Sequence, residues 1–423
     1  MADSEPLPGW APQPFRQFVF KVQSRCNLDC DYCYVYHLAD QSWRRQPKHM
    51  APDTVRAAAR RIAEHAARHE LDRVKITIHG GEPLLGGRAY LETFLSVMRA
   101  NAPGVALDFS MQTNGVLLDD EMAAFLVDES VIVGISLDGD REANDLHRRF
   151  RDGRSSYDLV EDAIRRMTRP ENRESFGGVL CTVQLAADPL RVWHSLLDLG
   201  TPALDFLLPH GTWSSPPPGL RPGDGRTPYA DWLIPIFDEW FDAADRPASV
   251  RIFEDILNLL LGGVDSYESF GLAPVCLVVV ETDGGYEQVD SMKAAYEGAA
   301  ATGMSVFTES LDDLLGTPGI VARQVGLSGL HETCRECALV ETCGGGLYSH
   351  RYLEGSGFVN PSVFCADLYA LISHIERRTT DQLTARGLTL AQVRQSGPSA
   401  GGEGLADGRG TSGNGAARTL GGA

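Results

Sequence analysis

The chain has 423 residues, 43% of them hydrophobic and 22% charged, with a formal net charge of −19. That length suits one large domain plus a smaller one, and the composition is that of an ordinary soluble globular protein. The acidic balance argues against a protein that tracks nucleic-acid phosphates, which needs a basic stripe, but it leaves room for a peptide substrate with a basic segment. The opening "MADSEPLPGW" lacks the basic-then-apolar pattern of a signal peptide. The longest apolar run, around "LAPVCLVVV", is too short to span a bilayer. The expectation is a cytoplasmic protein with neither a nucleic-acid nor a membrane partner, in a compartment where structural disulfides are rare.

Residues 1–14, with Pro6, Pro8, Pro12 and Pro14, read as an irregular lead-in. "FRQFVFKVQS" then reads as a first strand. "PDTVRAAARRIAEHAARHEL" has helical spacing, and Pro52 suits its start. "VKITIHGG", "VALDFSMQTNG" and "VIVGISLDGD" read as strands, with "AYLETFLSVMRAN", "DDEMAAFLVDE" and "SSYDLVEDAIRRMTR" as the helices following each. "GGVLCTVQL", "PLRVWHSLLDLG" and "ALDFLLPHG" add strand, helix, strand. About six β–α alternations over 15–210 predict a parallel sheet with helices outside, and loops after the strand C-termini that carry the chemistry. Residues 211–270 read as a Pro/Gly-rich linker followed by two bridging helices. From 271 to 375 short strands and turns surround cysteines. Residues 376–423 are expected to hold a helix end and a Gly-rich, disordered tail.

The nine cysteines are clustered rather than scattered. Cys26, Cys30 and Cys33 lie in "CNLDCDYC"; Cys334, Cys337 and Cys343 lie in "CRECALVETC"; Cys365 follows. In a reducing compartment such spacing favours metal or iron–sulfur ligation over crosslinking. Zinc is one reading of the first triplet, although zinc sites favour C-x2-C pairs. The other is a [4Fe–4S] cube with three cysteine ligands and one iron left open for a ligand.

"CNLDCDYC", with Tyr32 before the third cysteine, resembles the C-x3-C-x2-C signature of the radical S-adenosylmethionine (SAM) superfamily. The alternation resembles that superfamily's partial (β/α)6 barrel. The resemblance implies SAM on the open iron and a 5′-deoxyadenosyl radical that abstracts hydrogen. It makes Tyr32 the adenine-contacting position. It makes Gly80, Gly81, Glu82 and Pro83 the Gly-Gly-Glu-Pro motif facing the methionine amine. Gln112 and Asn114 in "QTNG", and Ser136 and Asp138 in "SLDG", fall where the family binds ribose and the methionine carboxylate. "NDLHR" resembles His-Asp-x-x-Arg with Asn144 for His. Arg148 then meets the carboxylate, or else is a surface helix cation.

"CRECALVETC" resembles the core of a SPASM module, the auxiliary-cluster domain of peptide-modifying radical enzymes, which makes the fold class α/β, a partial radical SAM barrel with a C-terminal cysteine-rich module. The resemblance implies that Cys334, Cys337, Cys343 and Cys365 bind an outer [4Fe–4S] cluster. Two positions of the inner cluster depart from the pattern: Asp290 and Leu347 stand where cysteine is expected, and only Cys276 remains. The expectation is two clusters, one binding SAM and one auxiliary. Cys276 reads as a small buried hydrophobe and Cys181 as core.

Longer strings resemble the FxsB-type maturases, which implies a three-residue cyclophane, an aromatic-to-Cβ crosslink, in a ribosomally made precursor peptide. A flavodoxin or ferredoxin would supply electrons. Asp290 is the candidate catalytic base, with a solvated turn carboxylate as the bland alternative, and His210 either binds substrate or packs. Two competing functions stand beside this one. A sulfatase-maturase-like oxidase would convert Ser or Cys to formylglycine, and its module normally keeps both auxiliary clusters. A zinc-organised binding module would have no catalytic activity.

Overall fold

The computed structural model describes residues 10–221, 223–264 and 268–396. Residues 1–9 of the lead-in and 397–423 of the Gly-rich tail lie outside the described residues. The core is a sheet of ten strands in the order β10-β9-β8-β1-β2-β3-β4-β5-β6-β7. The strands are β1 (Gln17–Gln23), β2 (Arg73–Gly80), β3 (Ala106–Thr113), β4 (Ile132–Ser136), β5 (Phe176–Thr182), β6 (Ala203–Leu207), β7 (Ser249–Val250), β8 (Leu277–Val280), β9 (Gly285–Glu287) and β10 (Ala301–Ser305). β1 to β7 are parallel, as the β–α alternation predicts.

Helices fill the crossovers: α1 (Pro52–Arg68), α2 (Arg88–Asn101), α3 (Asp120–Asp128), α4 (Arg141–Asn144), α5 (Tyr157–Met167) and α6 (Pro189–Leu197). Pro52 sits in the first turn of α1, where its missing N–H is no loss. Asp119 caps α3 by accepting from the Met122 amide at 2.8 Å. Two further helices, α7 (Pro228–Asp242) and α8 (Arg251–Leu260), pack with the long helix Cys365–Ala385. His374 of that helix meets Asp238 of α7 at 2.7 Å.

Strand alternation divides the sheet into two chemistries. Phe18, Phe20, Ile76, Ile78, Phe109 and Met111 face the helices and join one continuous apolar core. The opposite face carries polar rows: Gln17 pairs with Lys75 and Lys75 with Asp108, Thr77 with Ser110, and Lys21 with His79. The Gln17 amide donates to Thr77 at 3.3 Å, and the Thr77 and Ser110 hydroxyls lie 3.1 Å apart. A sheet buried on both faces needs such pairing to keep polar groups off the apolar side. The concave face is therefore a polar lumen.

The region from 271 onward is joined to this sheet rather than merely apposed. β8 runs parallel to β1, with Phe18 opposite Val278, and β9 and β10 continue antiparallel. Among the described residues no helix is long and apolar enough to cross a membrane.

Candidate active site

The loop after β1 carries Cys26, Cys30 and Cys33. The Leu28 amide donates to the Cys26 sulfur at 3.4 Å, and the Val35 and Tyr36 amides donate to that of Cys33. Burial pushes the Cys26 thiol up to about 12 and the Cys30 thiol to about 11. Such thiols ionise only against a compensating positive centre. All nine cysteines are free.

The loop after β2 is threaded into the cysteine loop. The Gly81 amide donates to the Gln23 carbonyl at 2.6 Å and the Glu82 amide to that of Arg25 at 2.9 Å. A Cβ on Gly81 would stand 1.8 Å from the Tyr36 hydroxyl and 2.4 Å from the Arg25 carbonyl oxygen, so no larger residue fits. Glu82 is fully buried. Its Oε1 accepts from Thr113 at 2.7 Å and the Leu84 amide at 2.9 Å, and its Oε2 from the Asn114 amide at 2.8 Å. Glu82 thereby ties together the loops after β2 and β3. Asn114 reaches on to the Cys26 sulfur at 3.7 Å, and Gln112 donates to Ser136 at 2.9 Å. Pro83 is buried at the start of the short 3-10 turn Pro83–Gly86.

Tyr32, Asp138 and Arg148 form a second network. Tyr32 donates to Asp138 at 2.6 Å and accepts from Arg148 at 3.0 Å, while Asp138 also accepts from the Thr182 amide at 2.9 Å. Arg148 is buried, 7% exposed, which removes the surface-cation alternative. Asn144, at the family's His position, is also buried and bonds to Ser156, whose hydroxyl donates to the Arg148 carbonyl.

These residues fit the superfamily's cofactors. The Arg148 Nε is buried without a partner, and the charge of Arg148 acts on Cys30. A ligand carboxylate there would satisfy it. Among the described residues, no three cysteine sulfurs lie within 4.8 Å of one another. A tetrahedral zinc, with Zn–S bonds of about 2.3 Å, would draw them to about 3.8 Å.

A buried charge cluster gathers around Lys21 of β1. Lys21 and Asp290 pair at 2.6 Å, and Lys293 pairs with Glu281 and Glu287, each at 2.9 Å. Burial alone would raise the Asp290 carboxyl; Lys21, then Lys293, outweigh it and hold it at about 2. Burial lifts Glu287 the other way, to about 8. The charge of Asp290 also reaches Tyr34, His79 and His210. His210 stands edge-on to Tyr34 at 4.7 Å and 5.5 Å from His350. Burial lowers His210 to about 4, so it is neutral near pH 7. His210 and His350 open onto a cavity of about 540 Å³ that Cys276, Val289, Ser291 and Leu347 also line. That volume is ordinary for a ligand pocket.

In the C-terminal region, Cys343 feels the charges of Cys365 and Cys334, and Cys365 those of Cys334 and Cys337. Cys276 stands apart, with its thiol on the Pro274 carbonyl at 3.4 Å. Cys181 is core. Lys21, Tyr34, His350 and Arg351 are the site residues that sequence reasoning missed. For Lys21 a signal existed: one lysine inside the apolar strand "FVFKVQ".

The sequence model of the Radical SAM superfamily matches residues 20–170. The chain is an enzyme built on a radical SAM domain, with SAM and [4Fe–4S] clusters as its cofactors. It is similar to the cysteine-type anaerobic sulfatase-maturating enzyme of Clostridium perfringens, 26% identical over 283 residues, 64% of this chain and 73% of that one. It is similar to the serine-type enzyme of Klebsiella aerogenes, 24% identical over 378 residues, 86% of each chain. The solved structure of native anSMEcpe with bound AdoMet and Cp18Cys peptide superposes with a TM-score of 0.72 at 22% identity, over 90% of this chain and 99% of that one. That likeness fixes the fold. The cyclophane crosslink expected from the FxsB-type strings is corrected here: relatives aligned over most of the chain are sulfatase-maturating enzymes. The sequence had set that alternative aside because Asp290 and Leu347 replace two inner-cluster cysteines.

Proposed function

We propose that the chain is a peptide or protein maturase that oxidises the Cβ of a Ser or Cys side chain to formylglycine. The observation that carries this reading is the likeness, over most of the chain, to cysteine- and serine-type anaerobic sulfatase-maturating enzymes. His210, edge-on to Tyr34 at 4.7 Å, opens onto the cavity that would receive a substrate segment. Cys26, Cys30 and Cys33 hold the N-terminal cluster; Cys334, Cys337, Cys343 and Cys365 hold one auxiliary cluster; no inner cluster forms. Tyr32, Asp138, Arg148, Gly80, Gly81, Glu82, Pro83, Gln112, Asn114 and Ser136 seat SAM.

When bound, SAM with the reduced cluster supplies a carbon radical that removes one hydrogen atom from the substrate Cβ. The remaining oxidation releases one electron and one proton; a cluster held by Cys334, Cys337, Cys343 and Cys365 would supply the electron acceptor. Asp290 takes that proton. A carboxylate held at about 2 is a weak base, but the donor is a protonated carbonyl or thiocarbonyl, a far stronger acid, so the transfer runs downhill. Serine gives the aldehyde directly; cysteine gives a thioaldehyde that water converts with loss of hydrogen sulfide. An external donor such as a flavodoxin or ferredoxin returns the chain to its reduced state.

The test is anaerobic reconstitution with SAM, dithionite and the Cp18Cys peptide or its serine counterpart. The expected product is an aldehyde captured by a hydrazine, formed in step with 5′-deoxyadenosine. A product whose fragmentation shows a ring, with no hydrazine adduct, overturns this reading.

A further inference from the structure

The triple glycine after Cys343 is wound around one guanidinium. Gly344, Gly345 and Gly346 all have positive φ, 58°, 79° and 67°. That turns three successive carbonyls toward Arg351, a conformation L side chains rarely adopt. The Arg351 Nη2 donates to the Gly344 carbonyl at 2.7 Å and to that of Gly346 at 2.6 Å, and Nε donates to that of Gly345 at 3.1 Å. Space forbids a side chain at Gly344 and leaves little at Gly345. A Cβ on Gly344 would lie 1.6 Å from the Gly271 carbonyl oxygen, and one on Gly345 would lie 3.2 Å from the guanidinium carbon.

Arg351 is 9% exposed, and no carboxylate lies within ion-pair distance of it among the described residues. Glu268, whose charge also acts on Arg351, is already held by Arg323 through bonds of 2.8 and 3.0 Å. A buried cation without a counter-ion is costly, and neutral carbonyls meet only part of that cost. Its guanidinium lies over the Tyr348 ring at 5.7 Å, and its charge acts on Tyr348, His350 and the cluster thiols Cys334 and Cys343, the last directly before the clamped glycines. A cube on four thiolates carries net negative charge, more so after accepting an electron, and nearby charge and hydrogen bonding set its potential.

We propose that Arg351 is the counter-ion of the C-terminal cluster and a positioning residue that raises its reduction potential, suiting it to accept the substrate's second electron. The inference rests on the cluster assignment proposed above. The electron step balances: the substrate loses one electron and one proton after its hydrogen atom, the cluster gains the electron, and Asp290 gains the proton.

The test needs no substrate, so it stands apart from the formylglycine assay. In the full chain carrying the Cys26/Cys30/Cys33 triple alanine change, the remaining cluster is titrated by EPR at controlled potential. Arg351→Gln is expected to keep about four irons per chain and to shift the midpoint at least tenfold in the one-electron equilibrium, about 59 mV lower. Arg351→Lys, which keeps the charge, is expected to stay near the parent. An Arg351→Gln chain that loads fully with an unchanged potential overturns the proposal. If Arg351→Gln holds no iron, Arg351→Lys decides: iron retained with the parent potential supports a counter-ion, and iron lost in both marks a purely structural clamp. A triple-alanine parent that binds no iron overturns the role together with the cluster assignment.

Discussion

Replacing Lys21 by Met leaves Asp290 buried with its nearest partner gone. The pair is almost sealed, at 2% and 0% exposure, with 2.6 Å between Nζ and Oδ2. Removing one member of such a pair costs about 3–5 kcal/mol. Titration gives a second figure. Asp290 moves from 3.8 to about 2 on folding, worth about 2 kcal/mol above pH 4 and lost as the pH falls from about 4 toward 2, because the folded value is the depressed one. Lys293 still attracts Asp290 in the variant, so the cost falls nearer 3 than 5. For a chain of this size that is a fall of about 3–6 °C in Tm at pH 7, read by anaerobic differential scanning fluorimetry. The pair Lys21→Met/Asp290→Leu is expected to recover most of the loss, since apolar replacements of buried pairs are neutral or stabilising. It is also expected to cleave SAM without forming aldehyde, which separates the structural role of Asp290 from its chemistry. A double variant no more stable than the worse single one would refute the energetic coupling.

Gly81→Ala is expected to lose the N-terminal cluster, about four irons per chain, because its Cβ meets the Tyr36 hydroxyl and the Arg25 carbonyl of the cysteine loop; iron quantification checks this. Tyr32→Phe strips Asp138 of a buried donor, at about 1–3 kcal/mol, and is expected to weaken SAM binding by roughly 5- to 150-fold in calorimetry. Glu287 is raised on folding, so its contribution is whole below about pH 4.5 and declines as the pH rises toward 8. Glu287→Gln is expected to flatten the fall in Tm between pH 6 and 8, and an unchanged slope would assign that fall to other groups.

The barrel was legible because each strand and helix is a contiguous segment with its own period, and the SAM motifs because "CNLDCDYC" and "HGGEP" are short, with close backbone approach demanding glycine in the latter. Burial of Arg148 was not legible: helical spacing alone leaves an arginine's direction open. The Lys21–Asp290 pair spans 269 residues of sequence, and only the return of β9 beside β8 brings its members together. Arg351 was silent because its partners are main-chain carbonyls. The reaction was misjudged for a different reason. Two missing thiolates speak to how many clusters the chain holds, and a side-chain oxidation needs only one acceptor for its second electron.

The parallel pairing of β1 with β8 has a consequence during synthesis. β1 is the first strand made, yet one of its edges finds its partner only when Leu277–Val280 has emerged. At about 5–20 residues per second that edge stays open for tens of seconds, presenting Phe18, Val19 and Phe20 as a template for pairing with other chains. A fragment cut near residue 270 would keep the edge open permanently, and is expected to aggregate rather than serve as a minimal SAM-cleaving domain.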